Sequence, residues 1–479
     1  MAAGKEYAPV IGLEVHAQLL THTKMFCRCP AAYGGEPNTM ICPVCLGLPG
    51  ALPSVNREAI SMAVRLGLAL GCTIERESVF ARKNYFYPDA PRNYQISMYD
   101  RPLCRGGSLE FEDGQEEVSI PLDRIHLEDD AGKLLHGRGG HTLVDFNRCG
   151  IPLVEIVTRP EIYSPGHASL FLQRLRQMLR YLEICDGNLE EGSMRVDVNI
   201  SLRAKGDETL GTRTEIKNLN SFKAVEAGIE KEMERQREEL ESGGTIVQVT
   251  NLWDAKEKRL VTMRRKEGAH DYRYFPEPDL PVLLVDEAWI EKERAGIPEL
   301  PLERGRRFCR EYGLSAYDAG VLTAESDIAD YFEETARLTG EPKTSANWVM
   351  RDVLHELKTR SGGIGEFPIG AGGLAGLIDL IIDGVVATSA GTEVFTAMLE
   401  SGESAADALR RLGLEQISGE DELEGIVDRV LESNPGELER YRGGKKQLMK
   451  FFVGQVMKES RGKADPVIAG EILRRKLDG

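Results

Sequence analysis

Apolar and polar residues alternate along several stretches of the chain, and the alternation predicts strands with one buried face. In I-G-L-E-V-H-A-Q-L (11–19), Leu13 and Val15 fall on one side and Glu14 and His16 on the other. In R-I-H-L-E-D-D-A-G-K (124–133), His126 and Glu128 share a face, with Asp129 and Asp130 following. In E-E-G-S-M-R-V-D-V-N-I-S-L (190–202), Arg195, Asp197 and Asn199 oppose Val196, Val198 and Ile200. In T-R-T-E-I-K-N-L-N (212–220), Arg213, Glu215 and Lys217 share a face. The run D-F-N-R-C-G-I-P-L-V-E-I-V-T (145–158) differs, because Glu155 interrupts an otherwise apolar segment. A carboxylate there is costly to bury without a partner. Either a cation answers it, or Glu155 lies on the open face of an edge strand.

Helical spacing appears at 56–70, where Ile60, Ala63, Val64, Leu66 and Leu68 recur. Ser164 as N-cap and Pro165 at the first helical position start a second helix to about 182. The segment 221–242 is rich in Glu, Lys and Arg, with opposite charges four apart in Arg235–Glu239 and Arg237–Glu241, and reads as a solvated surface helix. Further strands are expected over 246–285. Prolines 276, 278 and 281 then mark a change of regime, and a domain boundary is placed near residue 290. The pattern is helical from 291 to 404 and breaks into short helices over 405–479. The expected class is α+β: an antiparallel-sheet domain (1–290), a helical domain (291–404) and a small helical tail (405–479).

Composition narrows this picture. A chain of 479 residues exceeds one ordinary core. Its 41% hydrophobic and 29% charged content is that of a soluble globular protein, without a run of about 18 apolar residues or a signal-like start, which points to the cytoplasm and away from membranes. Nine cysteines, an odd count, suit a reducing compartment. The net charge of −17 argues against a general nucleic-acid coat. The segment 440–479 reverses the sign, with eleven cations against four anions for a net +7. That is either the footprint of a phosphate-backbone partner or a solvated helical surface.

Candidate chemistry follows from the polar faces. Glu14 and His16 on one face can ligate a divalent cation together, or can be a solvated pair. Cys27, Cys29, Cys42 and Cys45 form C-x-C followed by C-P-V-C, a spacing that fits a tetrahedral zinc knuckle over 27–45; two disulfides or unrelated thiols are the alternatives. The stretch S-V-F-A-R-K-N-Y-F-Y-P-D-A-P-R-N-Y-Q-I-S (78–97) offers Arg82 and Lys83 to phosphate and Tyr85, Phe86 and Tyr87 to a base, or else is a packed aromatic loop. Arg264, Arg265 and Arg273 with nearby aromatics form a second such cluster. Gly370, Gly372 and Ala375 lack the βαβ context of a dinucleotide fingerprint and read as helix-connecting glycines. The phosphate loop G-x-x-x-x-G-K-[ST], H-E-x-x-H and G-x-S-x-G are absent. A nucleotide site here is therefore of the open-sheet type, with carboxylates on strands holding metal ions against phosphates.

Together I-G-L-E-V-H-A-Q-L, C-P-V-C-L-G-L-P-G, R-K-N-Y-F-Y-P-D, H-L-E-D-D-A-G-K, D-F-N-R-C-G-I-P-L-V-E-I-V-T, R-x-E-I-K-N-L-N-S and D-Y-R-Y-F-P-E-P-D-L-P resemble the GatB family of the tRNA-dependent amidotransferases. The tail motif L-M-K-F-F-V-G-Q-V-M-K-E-S-R-G-K-A-D-P resembles that family's YqeY-like module. No aspartyl-tRNA-synthetase-like insertion precedes the tail, which favours the bacterial or organellar type. The resemblance implies a glutamine-synthetase-like cradle, a helical domain and a tRNA-binding tail. It implies ATP-dependent phosphorylation of the side-chain carboxylate of Glu-tRNA(Gln) or Asp-tRNA(Asn), then amidation by ammonia from an amidase subunit (GatA), with a small subunit (GatC) completing a heterotrimer. It assigns catalysis and Mg2+ to Glu14, His16, Glu128, Glu155 and Glu215, nucleotide contacts to Lys83, Asp197 and Arg213, and Zn2+ to the four cysteines. A free-standing ATP-dependent ligase and a non-catalytic RNA-binding scaffold are the other classes in view.

Overall fold

The computed structural model describes residues 6–136, 140–265, 272–360, 362–415, 420–460 and 463–478. The chain divides into two units, Met1–Glu303 and Arg304–Gly479. The class is α+β, with one large sheet and many helices. No described helix is long and apolar enough to cross a membrane.

The strands of the first unit, in chain order, are β1 (Tyr7–Gln18), β2 (Thr73–Ile74), β3 (Glu77–Ser78), β4 (Ala81–Asn84), β5 (Tyr94–Ser97), β6 (Cys104–Arg105), β7 (Ser108–Asp113), β8 (Glu116–Asp129), β9 (Lys133–His136), β10 (Thr142–Asp145), β11 (Pro152–Thr158), β12 (Met194–Ala204), β13 (Thr214–Lys217), β14 (Val249–Asp254), β15 (Arg259–Arg265), β16 (Phe275–Pro276) and β17 (Leu283–Leu284). Its helices include α1 (Arg57–Ala69), α2 (Pro165–Tyr181), α3 (Phe222–Glu241) and α4 (Glu287–Ala295). Ten strands form one sheet in the order β15-β14-β13-β12-β1-β11-β8-β6-β2, with β7 also on β8. Every pair is antiparallel except β13 and β14, which run parallel with α3 as their crossover.

One face of this sheet is the core. Leu13, Val15, Val154, Ile156, Val196 and Val198 lie there, buried against α1, α2 and α3. Asn56 caps α1 by accepting from the Glu58 and Ala59 N–H groups, and Ser164 caps α2 by accepting from His167 N–H. Because the apolar positions of β1, β11 and β12 all turn to the helices, their polar positions all turn to the opposite face.

The solvated reading of α3 requires correction. Glu232 and Gln236 are fully buried. Glu232 Oε1 accepts from Thr214 Oγ1 at 2.7 Å and Gln236 Nε2 at 3.0 Å, and its Oε2 accepts from Asn251 Nδ2 at 3.2 Å. Gln236 Oε1 accepts the Leu202 N–H at 3.0 Å. Arg235 turns back to Glu232 rather than forward to Glu239. The polar residues of this helix thus serve as hydrogen-bond partners for β12, β13 and β14, a role that charge patterning does not distinguish from solvation.

The unit boundary also falls later than residue 290. Trp289 and Ile290 of α4 pack into the first core, Trp289 Nε1 donates to Ser61 Oγ at 2.9 Å, and Glu293 pairs with Arg65 at 2.9 Å. Apolar burial keeps α4 with the sheet although its sequence is helical.

In the second unit Phe308, Phe332 and Leu374 belong to one apolar core, and Leu423, Phe452 and Leu473 to another. Helix Ala405–Leu412 sits in the first of these through Ala405, Ala408 and Leu409, so residue 405 does not begin the tail core. The positive run of the tail is largely answered locally. Residues 420–439 carry eight acids and one cation, a net −7 that cancels the +7 of 440–479. Arg475 pairs with Glu420 at 2.9 Å, Lys476 with Asp428 at 2.6 Å, and Lys446 with Asp478. Arg440, Arg442, Lys445 and Lys450 stay exposed. Arg461 lies outside the described residues.

Replacing Gln236 by Leu strands the buried Leu202 N–H, and should cost about 1–3 kcal/mol. The urea midpoint of the full chain reads this out; replacing exposed Arg237 by Ala should leave it nearly unchanged.

Candidate active site

Strand register builds the polar face. His16 of β1 lies opposite Glu155 of β11 on one side and Arg195 of β12 on the other, and Glu155 lies opposite His126 of β8. One row across four strands therefore reads Arg195, His16, Glu155, His126. The adjacent row sets Glu14 beside Asp197, and Asn199 beside Glu215 of β13 carries the face further. Glu155 is buried in a central strand, so the edge-strand alternative falls.

The row is bonded through its side chains. His16 Nε2 stands 3.4 Å from Glu128 Oε1 and 3.4 Å from Glu155 Oε2, and His126 Nε2 stands 3.2 Å from the same Glu155 oxygen. Burial opposes ionisation of Glu155, but the two histidines outweigh it and hold its carboxyl well below the usual range. Burial likewise opposes a charge on His16, and Glu155 and Glu128 overcome it, raising the imidazole to about 9. Glu14 is pushed up by burial and by the charges of Glu155 and Asp197. Its Oε1 accepts from Asn199 Nδ2 at 2.9 Å.

All eight residues expected for catalysis and nucleotide contact, the cysteines apart, line one cavity of about 910 Å³. They are not equivalent within it. His16, Glu128 and Glu155 bring one ligand atom each within 4.8 Å of one another. Glu128 Oε2 and His126 Nδ1 are buried with no hydrogen-bond partner. A nitrogen and two carboxylates with an unanswered oxygen among them fit a divalent cation, which takes such ligands and satisfies such an atom. Asp197 and Glu215 stand apart, both paired with Lys217, the latter at 3.1 Å, and Glu215 also accepts from Thr250 Oγ1 at 2.8 Å. Arg213 precedes β13 and is exposed at the cavity.

Lys83 reaches the cavity from β4 and lies 5.1 Å from the Tyr272 ring centroid. Burial opposes its charge, Glu128, Glu155, Tyr272 and Tyr274 together outweigh that, and its pKa stands above the ordinary value. Arg82, one residue earlier, points the other way and binds Glu277 through both Nε and Nη2 at 2.7 and 2.8 Å. It is a structural cation, because neighbours on a strand face opposite sides. The expected aromatic wall is also revised. Tyr85 lines the cavity, while Phe86 and Tyr87 follow in the turn after β4 and are exposed. Their place is taken by Tyr99 and Tyr274, stacked at 4.2 Å, and by Tyr272 edge-on to Tyr274 at 6.0 Å. Arg273 also lines the cavity. The side chains of Arg264 and Arg265 lie outside the described residues.

Sequence reasoning passed over His126, Arg195 and Lys217 as site residues, although each alternates in step with a residue it named. Tyr274 falls among the aromatics noted beside Arg273, but its stacking on Tyr99 carries no local signal, since 175 residues separate them.

The four cysteines form a second cluster, with their sulfurs within 4.8 Å of one another. Cys27, Cys29, Cys42 and Cys45 are all free thiols, so the disulfide alternative falls. Sulfurs bound at about 2.3 Å to one tetrahedral ion lie roughly 3.8 Å apart, and the cluster can hold a metal ion. Cys45 is lowered to about 5, chiefly by the hydrogen bond from Cys27.

Comparison with known proteins places these features in a family. The family model for the GatB/GatE catalytic domain matches residues 9–291, and that for the GatB domain matches residues 330–477. The chain is similar to the B subunit of the aspartyl/glutamyl-tRNA(Asn/Gln) amidotransferase of Chlorobium phaeobacteroides, at 51% identity over 99% of this chain and 100% of the relative. It is 52% identical to that of Pelodictyon phaeoclathratiforme over 99% and 100%. It is 48% identical to that of Thermodesulfovibrio yellowstonii over 98% and 99%.

Beside Glu128, the carboxylate of Asp129 binds buried Arg92 and accepts the Ile96 N–H at 2.9 Å, fixing β5 against the cavity. Replacing Asp129 by Ala leaves that guanidinium unanswered and should cost about 3–5 kcal/mol. Thermal unfolding measures it, and adding Arg92→Met should recover part of the loss.

Proposed function

The chain belongs to the GatB/GatE family, and from that premise we propose that its cavity phosphorylates and amidates the acidic side chain carried on a misacylated tRNA. Its function is that of the GatB component of a tRNA-dependent amidotransferase. The substrates are Glu-tRNA(Gln), Asp-tRNA(Asn) or both, with ATP as phosphoryl donor. The single observation that supports this reading most is the convergence of His16, Glu128 and Glu155 in a cavity that also receives Lys83 and Arg213.

The chemistry sets what these residues do. A carboxylate resists attack by ammonia until one of its oxygens becomes part of a phosphate leaving group. Divalent ions, Mg2+ by this reading, supply electrostatic stabilisation of the phosphoryl charge when bound. His16, Glu128 and Glu155 are the residues that hold such ions, with Glu14 and Glu215 at the margin of the set. Lys83 and Arg213 present fixed positive charge to the phosphates. Asp197, held by Lys217, orients the cation side of the cavity. Tyr99, Tyr272 and Tyr274 offer faces on which an adenine stacks. The domain around the cavity acts as the glutamine-synthetase-like cradle.

The sequence lacks the signature of an amidase. Ammonia therefore comes from a separate amidase subunit of the GatA type, and a small GatC-type subunit completes the complex. The four cysteines hold structural Zn2+ in this reading, consistent with tetrathiolate geometry.

In the assembled complex, Glu128→Ala should lower tRNA-dependent amidation by about 100-fold or more while glutamine hydrolysis continues. Wild-type amidation rates in that variant would remove the site from consideration. The tail contacts tRNA through Arg440, Arg442, Lys445 and Lys450, four exposed cations clustered at the start of its positive run. Replacing all four with Gln should raise KM for tRNA and flatten its salt dependence, by a slope of roughly 0.7–0.9 per lost phosphate contact, while KM for ATP stays constant. An unchanged salt slope would refute the contact.

A further inference from the structure

Lys24 is only 1% exposed, which is rare for a lysine. Its ammonium has two neighbours within bonding reach, the Phe146 carbonyl at 3.4 Å and Cys45 Sγ at 3.9 Å. Among the described residues no carboxylate pairs with it. An ammonium has three donors and a strong demand for hydration. One long carbonyl contact does not meet that demand, and a neutral thiol adds little. A sulfur carrying negative charge does meet it.

The four cysteines provide that charge. Four thiolates around a divalent ion leave a net −2 on the cluster, and Cys45, its buried member, is the one that faces Lys24. The backbone around Lys24 is built to keep the ammonium against it. Lys24 N–H donates to the Cys29 carbonyl at 2.9 Å, closing the loop that carries Cys27 and Cys29. Met25 N–H donates to the Gly150 carbonyl at 2.8 Å, and Cys149 Sγ donates to the Cys45 carbonyl at 3.3 Å. Gly150 has φ +86°, and a Cβ there would stand 3.5 Å from both Cys45 Cβ and Lys24 Cδ. The lysine stem thus runs past Gly150 to end at Cys45.

We propose that Lys24 is a positioning residue of the cysteine centre: its ammonium lies against Cys45 as the internal counter-cation of a divalent-metal tetrathiolate and retains the metal. The inference rests on the reading that the four cysteines hold a divalent metal. It also links the knuckle to the cavity, since Gly150 N–H donates to the carbonyl of Asp130 at 2.8 Å, and Asp130 holds Arg195 at 2.7 Å.

The test uses the full chain loaded with Co2+, whose thiolate charge-transfer band reports on the sulfurs. Lys24→Met removes the charge and keeps all but the last atom of the side chain's length. In competition with a chelator its Co2+ affinity should fall about 10–100-fold, the range for loss of a group bonded to a metal ligand. The band should move to longer wavelength, because a thiolate without its counter-cation gives up an electron more easily. The metal-free variant should unfold at no lower urea concentration than metal-free wild type, because it no longer buries an unanswered ammonium. Wild-type affinity and band position in Lys24→Met would overturn the proposal while leaving the metal site standing. Equal destabilisation of metal-free and loaded forms would reduce Lys24 to packing and overturn it too. A wild-type chain that takes up no Co2+ with a four-thiolate band would remove the metal reading itself, and this proposal with it.

Discussion

A carboxylate at the centre of a sheet needs an answer from its own neighbours, and in this protein Glu155 receives it from two histidines on the flanking strands. Water reaches that position poorly, so the ionised form persists because His16 and His126 stand within 3.4 Å. Neither histidine is placed by its own strand alone. Each is brought there by register, and a slip of one residue in β1 or β8 would turn its imidazole into the apolar core. Specifying that register is the work of the other face. Leu13, Val15, Ile125, Val154 and Val196 bury only if β1, β8, β11 and β12 pair as they do. The polar site is therefore a consequence of how the apolar side packs.

The helices that cover the apolar face also carry polar obligations. Glu232 and Gln236 of α3 satisfy groups on three strands, including Thr214 beside Glu215 and the Leu202 main chain of β12. The parallel pairing of β13 with β14 needs a crossover, and α3 supplies it while fixing the strand that presents Glu215 and Lys217. Acids at the cavity margin are consequently supported from behind by a second, fully bonded acid. The site can stay rigid with few direct contacts among its own carboxylates, a property that favours electrostatic stabilisation of a bound charge.

Charge in the second unit follows a different pattern. The positive segment 440–479 looks like a nucleic-acid surface when counted alone, yet residues 420–439 return an equal and opposite charge across the same small core. Lys476 and Arg475 are bound to acids of that neighbour, which leaves the cations near 440–450 to face solvent. Linear charge counts capture the composition of a surface only where the folded neighbours lie outside the window.

Sequence alone determined the strands, the helix starts and the two sets of candidate ligands, because those signals are local: period two, period 3.6, a capping side chain, a cysteine spacing. Glu14, His16 and Glu128 are legible in the sequence as members of polar strand faces, and Glu155 as a carboxylate in an apolar run that needs a partner. The family resemblance then supplied their grouping. Sequence did not reveal that Glu232 is buried, that Arg82 and Lys83 part company, that α4 stays with the sheet, or that Tyr274 stacks on Tyr99. Each of these depends on which distant segments share a core. Burial and pairing are properties of two surfaces brought together, and a single stretch of chain contains only one of them.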